Sequence, residues 1–344
     1  RQRYWGSPIP IVYDPEGNPH PIPEKYLPWE LPEDVEYKPK GTSPLGSSEE
    51  LIKRTEAIFG KGWRPEIDTM DTFVCSSWYY LRYPDASNND KPFDSKSNDW
   101  LPVDYYIGGA EHATMHLLYA RFITKALYDM KFVPFKEPFT NLYHQGTITK
   151  DGSKMSKSKG NTVSPDEFIE VYGADTFRCY LMFMGPFDEG GDWNDKGIKG
   201  IYRFLNKSYN LTLKKSDQAV SNESYYILNL TIKKVTEDLK NMKFNTGLSS
   251  LMEFVNYFQK NNINDQIKNI FIQLLSPLAP HLSEELWELR GNTESVFLSD
   301  WPSYDKSKLV KDTIDIVVQV NGKLRGRIKV SQNASKESML TLAK

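Results

Sequence analysis

Residues 150–165 read KDGSKMSKSKGNTVSP. Lys150, Lys154, Lys157 and Lys159, with the hydroxyls of Ser156 and Ser158, lie between and beside Gly152 and Gly160. Glycine lets a loop backbone come close to a ligand. Lysine supplies compact positive charge on a flexible stem. A loop of this composition can fold over polyphosphate and follow charge as it develops at a reacting phosphorus. Most lysine-rich loops are simply solvated. The ordered string KMSKSKGN (154–161) is what turns the reading toward chemistry.

Working upstream, a strand near Asn141–His144 leads into the loop, and a strand at Val103–Ile107 runs into Gly108-Gly109 and a helix expected from Glu111 to Met130. Strand, glycine pair, helix is the turn of a nucleotide-binding α/β fold, where the backbone approaches a ligand at the carboxyl end of a parallel strand. The lysine loop would hang beside the same crevice. His112 and His116, four apart, would share one helical face. They make a poor metal site, because no third ligand adjoins them and the spacing is not HExxH. Further upstream stands DTMDTFVCSSWYYLRY (68–83). Phe73-Val74 can end a strand, and Ser76-Ser77 can begin a helix. Taken alone, the aromatics of this segment read as core, Trp78 and Tyr80 above all. Strands near Phe73, Tyr105 and Leu142 would leave an open sheet edge and an uncovered apolar face.

Before this, residues 1–13 read as a turn and a short strand. Residues 14–63 read as an irregular insertion with one short helix near Ser48–Phe59 and, of the Cys or His ligands that structural zinc usually takes, only His20. Beyond the loop, Ser164-Pro165-Asp166-Glu167 is a helix start, and residues 163–195 form a connecting segment. From 196 to 312 the pattern becomes helical. A helix near Gly197–Leu211 precedes three stripes: Tyr225, Leu228, Ile232, Val235, Leu239, Met242; then Leu248, Leu251, Met252, Val255, Phe258; then Ile267, Ile270, Phe271, Leu274, Leu275, Leu278. These make a bundle. Thr313–Val330 alternates about Asn321-Gly322, a hairpin signature, with Lys323, Arg325, Arg327 and Lys329 on its second strand.

Composition limits the alternatives. The chain has 344 residues, net charge −2, 39% hydrophobic and 26% charged residues, as in a globular protein of two or three domains. Without a global basic field, RNA contact would rest on local patches. Cys75 and Cys179 are far apart, which argues against a disulfide framework and for a reducing, cytoplasmic setting. No apolar run approaches the ~18–20 residues of a membrane span, and no signal peptide is read. The first residue is Arg1, which fits a piece of something larger.

KMSKS resembles the second signature of class I aminoacyl-tRNA synthetases. RQRYWG (1–6), TMDTFVCSSWYYLRY (69–83), GGAEHATMHLLY (108–119), VYGADTFRCY (171–180), LAPHLSEELWE (278–288) and VNGKLRGRI (320–328) resemble successive segments of the bacterial leucyl-type members. The resemblance implies a fold that is α/β then all-α. It would be the C-terminal half of a Rossmann-like catalytic domain (1–162, with the loop at 150–162), followed by an anticodon-binding-type bundle and an incomplete tRNA-contacting domain from 313 to 344. It implies activation of leucine by ATP, with Mg²⁺ carried by ATP, and transfer to tRNA(Leu). Lys154 and Lys157 would be catalytic. Gly108, Gly109, Glu111, His112, Lys154, Met155, Ser156, Lys157 and Ser158 would bind ATP. Phe73, Ser76, Tyr79, His112 and His116 would bind leucine, and Lys323, Arg325 and Arg327 would bind tRNA. The cysteine pairs with which many such relatives hold zinc are missing, so no structural zinc is expected. No HIGH string and no editing domain occur in the sequence. The chain alone would then be inactive, and would need a catalytic half and an editing domain in cis or trans, in an enzyme expected to be monomeric and without membrane association. The rival reading is a non-catalytic tRNA-binding module.

Overall fold

The computed structural model describes residues 1–38, 41–94, 99–215, 219–309, 313–331 and 334–343. Ser95 and Asn98 of the polar loop, the end of the helical segment at 312 and the side chain of Lys329 lie outside what is described. Two compact units divide the chain, Arg1–His144 and Gln145–Lys344.

The first unit opens with β1 (Ile11–Tyr13), β2 (Pro19–Pro21), α1 (Glu49–Phe59) and β3 (Arg64–Pro65); the strands form an antiparallel sheet in the order β2-β1-β3. Ser48 caps α1 by accepting from the Leu51 amide, with Glu49 and Glu50 in the first turn. Residues 14–63 are therefore not a bare excursion. Val12, Ile22, Trp29, Val35, Leu45 and Leu51 close into a core of their own. His20 lies 3.0 Å from the Asp14 carboxylate, its ring 4.9 Å from that of Trp63.

Next come two single-turn helices, α2 (Thr72–Cys75) and α3 (Tyr79–Arg82). This corrects the expected strand at Phe73-Val74. The Asp71 carboxylate accepts from the Phe73 amide at 3.0 Å and starts a helical turn there, so Ser76 ends a helix instead of beginning one. β4 (Val103–Ile107), α4 (His116–Asp129) and β5 (Phe139–Tyr143) follow, with β4 and β5 paired in parallel. The helix expected from Glu111 is broken. Residues Ala110–Thr114 form a 3-10 turn, with His112 and Met115 amides bonded three residues back, and Met115 (φ −120°, ψ −107°) separates it from α4. Tyr80, Leu81, Ala120 and Val133 are buried between these elements. Tyr105, Ile107 and Leu142 on the two strands are 54%, 48% and 45% exposed, but Leu142 pairs with Tyr106, so it lies on the opposite face from Tyr105 and Ile107 and the three do not form one apolar face.

The second unit begins with β6 (Thr147–Lys150), β7 (Ser153–Lys154), α5 (Pro165–Tyr172), α6 (Ala174–Phe183) and β8 (Gly190–Trp193). The sheet order is β7-β6-β8, with β6 antiparallel to β7 and parallel to β8. A Cβ at Gly146 would collide with the backbone of Glu189 and Gly190, so this close approach requires glycine. The bundle consists of α7 (Ile198–Leu213), α8 (Asn222–Lys240), α9 (Phe244–Phe258), α10 (Asp265–Leu275) and α11 (Pro280–Leu289). Leu228, Ile232, Val235, Leu248, Leu251, Phe254, Phe258, Ile267 and Phe271 are buried in one cluster, and the Phe254 and Phe271 rings stack at 4.9 Å. Each such side chain contributes about 1.5–3 kcal/mol by leaving water. Met242 falls outside α8 and takes a positive φ of 57° at the turn into α9, so the first stripe ends at Leu239. The hairpin β9 (Thr313–Val320) and β10 (Lys323–Ser331) turns through Asn321 (φ 51°) and Gly322 (φ 74°), as an Asn-Gly turn requires. A final helix, α12, spans Lys336–Ala343. No described helix is long and apolar enough to cross a membrane.

Candidate active site

In the first unit, β4 and the start of α4 bring four polar side chains into one chain of contacts. Tyr106 Oη lies 2.5 Å from Tyr79 Oη and 2.6 Å from His116 Nε2, and Ser76 Oγ lies 3.3 Å from His116 Nδ1. A consistent proton assignment follows: Tyr79 donates to Tyr106, Tyr106 donates to Nε2, and Nδ1–H donates to Ser76. It requires a neutral imidazole. Burial, and secondarily the nearby His112, lower the His116 pKa, which favours that state. Burial, and then the hydrogen bond to Tyr79, raise the Tyr106 pKa, which keeps the hydroxyl protonated. The Tyr106 ring stacks on Phe139 at 3.8 Å and fixes its height above the sheet.

His112 sits beside this group. Its ring is 6.3 Å from His116 and 6.3 Å from Phe73, and Phe73 is 5.9 Å from Tyr119. Its Nδ1 is buried with no partner among the described residues. A buried polar atom left unmatched is costly, so a ligand group or water that reaches it is favoured. The glycine turn is pinned from two sides: the Gly108 amide donates to Tyr143 O at 3.2 Å, and His144 Nδ1 lies 2.9 Å from Gly108 O. A Cβ at Gly109 would collide with the Glu111 carboxylate, which folds back over that turn. Among the described residues, no group of three or more His, Cys, Asp or Glu could hold a metal ion.

Phe73, Ser76, Tyr79, His112 and His116 therefore gather in one place, with Gly108, Gly109 and Glu111 adjoining. Sequence reading missed Tyr106, the centre of the network, because a strand tyrosine ten residues before a histidine carries no spacing signal. It also missed His144 as the brace of the glycine turn, although a histidine closing the strand before the lysine loop was a visible hint.

In the second unit, the lysine loop is built on the β6–β7 hairpin. Asp151 (φ 53°) and Gly152 (φ 69°) make the turn. Asp192 on β8 accepts from the Gly152 amide at 3.0 Å and Thr149 Oγ1 at 2.6 Å, and these bonds, the threonine's first, lower its pKa. Asn161 buckles the loop: its Oδ1 accepts from the Ser156 amide at 2.8 Å, and its Nδ2 donates to Lys154 O at 3.3 Å. Ser156 and Ser158 hydroxyls meet at 2.7 Å, Lys157–Lys159 make a 3-10 turn, and Gly160 closes it in the left-handed region. Met155 packs against the bundle core as an anchor. Lys154, Lys157 and Lys159 are exposed, with no side-chain partner among the described residues. Such a loop presents free cations from a fixed base. Asn161 was part of the quoted string, but its buckling role is visible only in the fold.

In the C-terminal hairpin, Lys323, Arg325 and Arg327 are exposed, and a register shift between Leu324 and Gly326 makes Arg325 an extra, unpaired residue of β10.

Comparison with known proteins adds the following. The family described as tRNA synthetases class I (I, L, M and V) matches residues 1–192, and the anticodon-binding domain of tRNA ligase matches residues 224–340. A leucine–tRNA ligase of Clostridium perfringens (strain SM101 / Type A) is 50% identical over 366 residues, covering 100% of this chain and 45% of the relative. One from Pseudothermotoga lettingae is 47% identical over 365 residues, with the same coverage. A crystal structure of the ternary complex of Agrobacterium radiobacter K84 agnB2 LeuRS, tRNA and LeuAMS superposes with a TM-score of 0.82 at 36% identity, over 99% of this chain and 47% of that one. The chain thus spans about half the length of the relatives it matches.

Proposed function

This chain belongs to the class I tRNA synthetases of the I, L, M and V group, and from that premise we propose that it is part of a leucine–tRNA ligase. A leucine carboxylate oxygen attacks the α-phosphorus of ATP, the bond to the bridging oxygen breaks, and pyrophosphate leaves. A ribose hydroxyl of tRNA(Leu) then attacks the leucyl carbonyl carbon and releases AMP. No covalent enzyme intermediate is needed; positioning and charge stabilisation suffice.

The observation that carries this reading is the buckled loop on which Lys154, Lys157 and Lys159 meet no carboxylate among the described residues, while Lys150 at its base lies 3.8 Å from Asp195. Lys154 and Lys157 meet the charge that passes to the departing pyrophosphate, while Ser156 and Ser158 hold the turn between them. Gly108, Gly109, Glu111 and His112 form the nucleotide side. Phe73, Tyr79 and His116 wall the leucine side chain, with Ser76 fixing the histidine tautomer. Mg²⁺ arrives with ATP, neutralising phosphate charge, and no zinc is held. The exposed Lys323, Arg325 and Arg327 favour tRNA contact at the hairpin. On this reading the enzyme works in the cytoplasm as a monomer, and the 344-residue chain alone runs no pyrophosphate exchange.

The test is amino-acid-dependent pyrophosphate exchange by a complete enzyme carrying this chain. Leucine should support exchange well above isoleucine, valine or methionine. Equal or better exchange with one of those three would overturn the leucine assignment.

A further inference from the structure

The β4–β5 ladder runs in parallel as far as Ile107 opposite Tyr143. Its last backbone bond runs from the Gly108 amide to Tyr143 O, at 3.2 Å. Beyond it a side chain joins the two strand ends: His144 Nδ1 lies 2.9 Å from Gly108 O. A carbonyl oxygen only accepts, so Nδ1 carries the proton. The neutral Nδ1–H tautomer and the imidazolium can both make this bond. The ring is half-buried just past the end of β5.

Nothing among the described residues requires glycine at position 108. Neither Gly108 nor Gly109 takes a positive φ, and Gly109 is extended (φ −64°, ψ 144°). A Cβ at Gly109 would collide with the Glu111 carboxylate, but a Cβ at Gly108 would meet nothing within 4 Å. That open space lies at the carboxyl end of a parallel strand, where ligands approach α/β folds. A pair of glycines is also the least constrained backbone a chain can have. Bare backbone of this kind can receive a ligand in one orientation only if its neighbours fix it. Tyr143 O holds the amide of Gly108, and His144 holds its carbonyl, so the residue is fixed between two bonds.

Resting on the reading of the Gly108-Gly109 turn as the nucleotide side of a leucine–tRNA ligase, we propose that His144 is a positioning residue for ATP. Its Nδ1–H fixes the peptide between Gly108 and Gly109, and ATP packs against the bare backbone of Gly108. His144 acts on ATP through Gly108 and takes no part in the phosphoryl chemistry. Its effect belongs to ATP binding. The leucine pocket is braced by the separate network through Tyr106 and is left untouched.

The experiment is leucine-dependent pyrophosphate exchange by a complete enzyme carrying this chain, with ATP and leucine varied in turn and melting curves to verify that each variant folds. His144→Leu should raise the ATP KM roughly five-fold and leave the leucine KM unchanged. His144→Asn, whose Nδ2 stands where Nδ1 stands in histidine, should restore the ATP KM. His144→Gln, whose amide lies one carbon further out, should not. The proposal is overturned if His144→Leu leaves the ATP KM unchanged, if it raises both KM values alike, or if His144→Asn behaves like His144→Leu. Gly108→Ala separates that failure from a failure of the underlying reading. A raised ATP KM there keeps the nucleotide at the turn whatever His144 does. An unchanged ATP KM there removes the nucleotide from the turn and overturns the proposal with it.

Discussion

Around His116, polar atoms are matched to one another: Ser76, Tyr79, Tyr106 and the two ring nitrogens form one closed set, partly buried and held by the Tyr106–Phe139 stack. On the loop from Lys154 to Lys159 the ammonium groups have no partner among the described residues, while the backbone beneath them is fixed by Asn161 and Met155 anchors the loop in the core. The two arrangements suit different tasks. A ligand that is the same before and during reaction is recognised by a pocket whose polar groups are already satisfied and cannot rearrange. Charge that appears only as a bond breaks is met by groups that are uncommitted beforehand, since only interactions stronger in the transition state speed the step. Neutralising those lysines with carboxylates in the resting protein would reduce that difference.

The contrast can be broken at the network first. Tyr106→Phe removes the hydroxyl that both Tyr79 and His116 use and leaves His116 Nε2 without its partner. A loss of about 1–3 kcal/mol in stability is expected, read from denaturant unfolding of the first unit. A smaller effect, about 1 kcal/mol, is expected for Asn161→Ala. It should appear as several-fold faster hydrogen exchange at the Ser156 amide, with the melting temperature of the bundle unchanged. Unaltered exchange there would mean that the loop is held by something other than Asn161.

The smallest effect is a pH dependence. Burial depresses the His116 pKa in the folded state from its ordinary 6.5. Below 6.5 the unfolded chain then binds more protons than the folded one, so stability falls as pH drops from about 6.5 toward the folded value, and levels off beneath it. His116→Gln should remove this slope between otherwise identical unfolding series. A slope of the opposite sign would mean that the folded state holds the histidine charged.

Legibility in the sequence followed the length of the repeating pattern. The bundle was readable because α8 and α9 repeat an apolar spacing over 19 and 15 residues, and the hairpin because Asn321-Gly322 is strong turn chemistry. β2 and β3 have three and two residues, too few for any alternation to show, so the small folded body around Val12 and Trp29 was read as an excursion. At Phe73 a strand propensity lost to a local cap from Asp71, and at Met115 a helical pattern hid a break in the hydrogen-bond ladder. The lysine loop was legible as a string, since its chemistry lies in residue types within one segment. The His116 network was only half legible, because Tyr106 reaches it from a different strand.

The most direct test of this division is Lys157→Ala in a complete enzyme carrying this chain, followed by leucine-dependent pyrophosphate exchange. The account predicts a steep fall in the exchange rate with the leucine KM close to that of the unaltered enzyme. An unchanged rate with a raised leucine KM would contradict it, because Lys157 would then serve recognition and not the charge that arises during reaction.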